Sequence, residues 1–310
     1  MDNSCNSCNT CRHIEHYPFV KDSNSVTCSL ETYEWFLEDF CSRNSIKVSV
    51  NGERVTIDLN DTNYITDDLY NVILSTYNST SWYPLMSEET FTSTLIDLNQ
   101  TDIDALLEDT QDYFSVPTEQ KIEKAIEEFG GEAFVRSYNC SPKDSNYNHS
   151  LIIRTPQEIF TLFRNSYRVS YNIGIMKRIG APVGIMLRQP IKNFPESLEF
   201  RCFYNERLRA ISRYRNISLF EDEADELTKE KKNEIENKII EWFDSITIPY
   251  HCCTVDVVVM DDEVLLVEFN SFGAGMNAGS AQYHWIKDFN TLYNSETVDV
   301  RWNTEDIFSD

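Results

Sequence analysis

Apolar positions along this chain switch repeatedly between helical and strand periods, and the switches divide it into short elements. Behind a capping Ser29, Tyr33, Phe36, Leu37 and Phe40 recur at helical spacing, which predicts a helix from Leu30 to about Ser42. Ile46–Val50 and Arg54–Leu59 flank Asn51-Gly52, a hairpin signal, and Asp67–Tyr77 reads as a second helix. A strand at Thr92–Asp97 and a short acidic helix at Asp102–Asp109 follow. Glu119–Phe129 sets Ile122, Ala125, Ile126 and Phe129 on one face and is stopped by Gly130-Gly131. Ala133–Arg136 and Leu151–Arg154 read as strands. Thr155-Pro156-Gln157-Glu158 is a capping box that opens a helix through Ile159, Leu162 and Phe163. Val183–Leu187, Leu198–Phe203 and Arg207–Ser212 are strands, Glu226–Ser245 is a long amphipathic helix, and Gln282–Leu292 is expected to be the last helix.

Thr254–Gly279 breaks the pattern in an informative way. Two Val- and Leu-rich runs flank Asp261-Asp262-Glu263, and each run carries a carboxylate where an apolar residue would be expected. With a three-residue loop, Met260 pairs with Val264 and Asp256 lands opposite Glu268. Asp256, Val258, Met260, Val264, Leu266, Glu268 and Asn270 then share one face. Two adjacent carboxylates repel unless a cation sits between them. Three hard oxygen donors on a rigid hairpin suit Mg2+ better than Zn2+. The plain alternative is an edge hairpin with a solvated polar face.

Composition changes this picture mainly through charge. The 310 residues hold 27 basic and 51 acidic side chains, a formal net charge of −24. That field disfavours nucleic-acid backbones and anionic membranes and favours basic protein partners. A bound polyphosphate would therefore need local cations, and Arg136, Lys143, Arg188 and Arg201 stand within, beside or at the ends of apolar strands. No run approaches the roughly 18 apolar residues of a membrane span, and the polar start has no leader pattern, so a cytoplasmic location is expected; the chain is also expected to be a monomer. The 9 Cys include an adjacent pair, Cys252-Cys253, unlike a secreted disulfide framework. Cys5, Cys8 and Cys11 could chelate a metal, although their Asn- and Ser-rich surroundings read as a disordered tail.

Several stretches resemble the cell division cycle protein 123 family. They are F-V-R-S-Y-N-C-S-P-K-D-S (134–145), L-R-Q-P-I (187–191), E-F-R-C-F-Y (199–204) with R-A-I-S (209–212), and V-D-V…L-V-E-F-N-S-F-G (255–273). W-Y-P (82–84) and L-L-E-D (106–109) fit as well. The resemblance implies an α+β ATP-grasp fold, in which two lobes of antiparallel sheet with flanking helices enclose a nucleotide. It implies binding of ATP and Mg2+ and a role as an assembly chaperone for eukaryotic translation initiation factor 2, through its gamma subunit. By position it puts Arg136, Ser141 and Lys143 at phosphate, Leu187, Arg188 and Gln189 at the adenine hinge, and Arg201 near the phosphates. Asp256, Glu268 and Asn270 fall at the metal, with Asp256 also near ATP. Arg213-Tyr214-Arg215 after Ser212, Ser271 and Ala274 depart from the family pattern. A diverged viral or bacterial-effector copy acting in a host cytoplasm is consistent with that. An ATP-grasp ligase or phosphoryl-transfer enzyme, modifying a peptide, amino acid or other small acceptor, would use the same residues.

The expected organisation is a disordered tail to residue 25 and an accessory region over 26–80. Lobes then cover 81–182 and 183–293, and an acidic tail covers 294–310.

Overall fold

The structure is a computed structural model that describes residues 19–22, 24–108, 110–145, 151–214, 227–273, 276 and 278–302. The Cys5–Cys8–Cys11 cluster lies outside the described residues. The chain folds as two compact units, one of residues 1–66 with 194–310 and the other of residues 67–193.

The first unit begins with an antiparallel sheet of strands β1 (Phe19–Asp22), β2 (Ser25–Ser29), β3 (Lys47–Asn51) and β4 (Arg54–Asp58), in the order β1-β2-β4-β3. The expected tail is thus shorter than 25 residues, because Phe19–Asp22 pairs residue for residue with Ser25–Cys28. Ser29 caps the helix as expected, its hydroxyl accepting from Thr32 N at 3.1 Å. That helix runs to Arg43 with a wide π-type turn at Tyr33–Leu37. The Asn51-Gly52 hairpin forms one residue later than its signal: Asn51 pairs with Arg54, and Gly52 takes the first central turn position at φ +62°. Val26, Leu37, Val55 and Ile57 close a small fully buried core.

The second unit carries strands β5 (Ser93–Asp97), β6 (Ala133–Ser137), β7 (Ile152–Ile153) and β8 (Gly184–Arg188), ordered β5-β8-β6-β7 and antiparallel throughout. The sequence reading opened a second lobe at residue 183, but β8 is the central strand here, paired to β5 and β6 and buried along its length. Its apolar run alone cannot say which sheet receives it. Gly184 is required by a neighbour: a Cβ there would lie 2.2 Å from Tyr138 Cζ. Trp82-Tyr83-Pro84 falls in a helix, Ser79–Met86, capped by Asn78, with Trp82 buried beneath it. The capping box forms, with Thr155 and Glu158 bonded reciprocally.

The rest of the first unit is a five-stranded sheet of β9 (Glu199–Asn205), β10 (Arg207–Arg213), β11 (Cys252–Met260), β12 (Glu263–Asn270) and β13 (Asp299–Arg301), in the order β12-β11-β9-β10-β13. The long helix Lys229–Ser245 is capped by Thr228 and buries Ile235, Ile239, Trp242 and Phe243. Two expectations fail in this unit. Gln282–Leu292 is a chain of turns ending in a short helical stretch, Asn290–Asn294. Its aromatic residues pack irregularly, with Tyr283 and Trp285 both edge-on to Phe203. The segment read as an acidic tail instead supplies β13, parallel to β10 and held by Gln282, whose Nε2 donates to the carbonyls of Arg213 and Trp302.

Candidate functional site: a carboxylate–guanidinium cluster

Strands β9, β11 and β12 bring the sequence-predicted residues of the first unit together. Asp256 pairs with Glu268 on one side and Arg201 on the other, and Thr254 pairs with Asn270. Cross-strand partners share a face, so all five side chains stand on one side of the sheet.

The Asp256–Glu268 pairing arises differently from the expectation. The turn has two residues, Asp261 and Asp262, with φ of +48° and +68°, and Met260 pairs with Glu263. Positive φ at both central positions is the type I′ turn that matches strand twist, and Asp tolerates it better than most residues. A two-residue turn alone would place Val267 opposite Asp256. A bulge restores the register: Val257 pairs with Leu266, Asp256 with Glu268, and Val267 is the extra residue. Val264 and Leu266 accordingly lie on the opposite face from Asp256, which corrects the shared face expected from sequence.

Asp256 is 1% and Arg201 6% exposed. The pair is bidentate, with Arg201 Nε and Nη2 donating to the two Asp256 oxygens at 2.8 and 2.7 Å. Arg201 Nη1 donates to the Gly279 carbonyl at 2.7 Å, and the guanidinium lies 4.6 Å from the Tyr214 ring centroid. Burial alone would lower the Arg201 pKa; the Asp256 charge and hydrogen bonds outweigh it and raise it. Burial, then the Asp256 charge, raises the Tyr214 hydroxyl. Asn270 Nδ2 donates to Asp256 at 3.2 Å and to Glu268 at 3.3 Å, bridging the two carboxylates.

The donor chemistry fits a hard divalent cation. Two carboxylates and an amide converge, and a half-turn of the Asn270 amide presents its oxygen in place of its nitrogen. The Thr254 hydroxyl beside Asn270 is buried and has no hydrogen-bond partner. Among the described residues no three His, Cys, Asp or Glu side chains converge, so a metal here would depend on the amide as third donor. Tyr214 and the Gly279 carbonyl escaped the sequence reading. Tyr214 directly follows the β10 strand, a signal that could have been used, whereas nothing in sequence points to a backbone carbonyl.

In the second unit Arg136 and Arg188 share one sheet face, since Arg136 pairs with Met186 and Phe134 with Arg188. Both are 5% exposed. The Arg188 guanidinium lies 5.7 Å from the Trp82 ring and 5.5 Å from the Phe91 ring. Leu187 is fully buried on the other face, and Gln189 is exposed just beyond β8, its N–H donating to Thr92. Ser141 and the exposed Lys143 occupy the loop after β6. That loop is anchored by Asp144, which accepts from the Ser166 hydroxyl and Arg168 N–H at 2.5 and 3.0 Å.

The D123 family model matches residues 110–304, more than half of the chain and all of the cluster just described. The chain belongs to this family. A CDC123-like protein of Acanthamoeba polyphaga mimivirus is 27% identical over 90% of this chain and 94% of its own. A translation initiation factor eIF2 assembly protein of Dictyostelium discoideum is 30% identical over 48% of this chain and 41% of its own length. The chain thus spans under half the length of that cellular relative. Cdc123 of Schizosaccharomyces pombe superposes with a TM-score of 0.63 over 73% of this chain and 94% of its own, at 22% identity. The fold is that of Cdc123, an α+β architecture of largely antiparallel sheets with flanking helices.

Proposed function

We propose that this D123-family chain binds Mg·ATP and acts as an assembly factor for eukaryotic translation initiation factor 2, taking the gamma subunit as its partner. The observation that carries the nucleotide half is Asp256, 1% exposed, beside Glu268 and Asn270 on one sheet face. A buried carboxylate with a half-buried one beside it needs compensating positive charge, and Arg201 is a single cation for the two. In this reading Asp256, Glu268 and Asn270 hold the metal, which would neutralise charge on the β- and γ-phosphates. Arg201, on the same sheet face as these three residues, would supply a phosphate contact. The assembly half rests on family membership and on the Dictyostelium relative being an eIF2 assembly protein. A net charge of −24 also suits a basic partner surface.

Calorimetry with ATP, with and without Mg2+, tests the first half. Heat of binding that requires both is expected, and none in either titration would sink it. Capture of purified gamma subunit by the immobilised chain tests the second. Failure to retain it with Mg·ATP present would remove the partner assignment and leave the nucleotide assignment standing.

A further inference from the structure

The Arg201 guanidinium is engaged on every side. Nε and Nη2 hold the two oxygens of Asp256, Nη1 holds the Gly279 carbonyl, and the plane faces Tyr214. Two of those N–H groups sit on the oxygens that a divalent cation at Asp256 would use. Both species are positive and the carboxylate is buried, so their mutual repulsion is weakly screened. A cation arriving alone must either share Asp256 with Arg201 or displace it, and the carboxylate beside Asp256, Glu268, is one the cation itself would use.

A polyphosphate changes that balance. Its oxygens match the guanidinium fork as well as a carboxylate does, and they carry more charge. The bond from Nη1 to Gly279 is separate from the two on Asp256, so it can serve as the pivot while Nε and Nη2 change partner. We propose that Arg201 is an anion-released antagonist of divalent-cation binding at Asp256: it blocks the metal until a polyphosphate takes over its Nε and Nη2 hydrogen bonds. Metal and polyphosphate then bind as a coupled pair, and linkage makes the coupling reciprocal. This rests on the Mg·ATP reading above for the identity of the two ligands. It adds that the order is enforced by one side chain.

The test measures Mn2+ binding by electron paramagnetic resonance, on the full chain and without nucleotide. Arg201→Met should bind Mn2+ about tenfold more tightly than wild type, within the usual span of coupling effects. Adding Asp256→Asn to that variant should abolish the gain. In wild type, tripolyphosphate should tighten Mn2+ binding, and in Arg201→Met that enhancement should shrink. Unchanged or weaker Mn2+ binding by folded Arg201→Met, or no Mn2+ binding by any variant, overturns the proposal. If Arg201→Met does not fold, Arg201→Lys keeps the charge but loses the bidentate fork; it should bind Mn2+ more tightly than wild type, and equal affinity overturns the proposal. The two readings fail separately. Mg·ATP binding to wild type with no gain in Arg201→Met leaves the function and removes the antagonist, whereas the reverse pattern does the opposite.

Discussion

Asp256 and Glu268 are adjacent in the sheet, yet their substitutions should behave differently. Asp256→Ala strands a buried guanidinium, and losing one partner of a buried pair costs about 3–5 kcal/mol. Chemical denaturation should show that loss. Glu268 is only partly buried, so Glu268→Ala should leave stability within about 1 kcal/mol while abolishing the thermal shift given by Mg·ATP. Retention of the shift in both variants would refute the metal assignment. Away from the site, burial raises the Cys28 thiol to about 11, and burial together with Cys28 raises the Cys41 thiol to about 12. Neither should react with a thiol reagent at neutral pH until the fold is opened, which a titration with and without denaturant checks. Asp288 supplies a pH signature. Burial pushes its pKa up, but the Arg301 hydrogen bonds outweigh that and hold it below the usual carboxylate range. A depressed folded pKa means stability that is full above the unfolded value of about 4 and lost as pH falls through the folded one. Denaturation midpoints should therefore be insensitive to this group near neutrality and fall in acid, less so in Asp288→Asn.

The elements show how far pattern reading reaches. The hairpin's two carboxylates were placed opposite each other from sequence, and they are opposite, although the turn was read one residue too long. The bulge at Val267 cancels that error. A bulge leaves little trace in a run of apolar residues, because Val and Leu suit either face of a buried strand. Replacing Asp261-Asp262 by Asn-Gly should stabilise the hairpin by about 0.5–1 kcal/mol, since Asn and Gly accept positive φ more readily. A lower denaturation midpoint would contradict the turn assignment. Strand β13 was missed because three residues beside an acidic terminus carry too little pattern. Tertiary contacts secure it: Arg301 bonds Asp288, and Trp302 packs edge-on to Phe200. Ending the chain at Thr297 should therefore lower Tm by several degrees and expose the β10 edge to aggregation. An unchanged Tm would return the segment to the status of a tail.

At the scale of the whole molecule, the charge of −24 acts on every carboxylate at once. Self-repulsion destabilises the compact state and is screened by salt, so Tm should rise between low salt and about 0.3 M NaCl. Affinity for a basic partner should fall over the same range. A Tm that drops on adding salt would indicate that local ion pairs such as Arg178–Asp68 outweigh the net field.

Sequence alone determined the strand and helix inventory of most of the chain, the hairpin that carries Asp256 and Glu268, and the family to which its motifs belong. These follow from side-chain period, cap chemistry and residue identity, all of which are local. Tertiary structure alone decided that β8 is central to the sheet of residues 67–193, that a terminal segment completes the other sheet, and that Arg201 occupies both oxygens of Asp256 while held by Gly279. Those are contacts between residues far apart in the chain. Which partner an apolar strand or a buried cation chooses depends on what the rest of the fold places beside it.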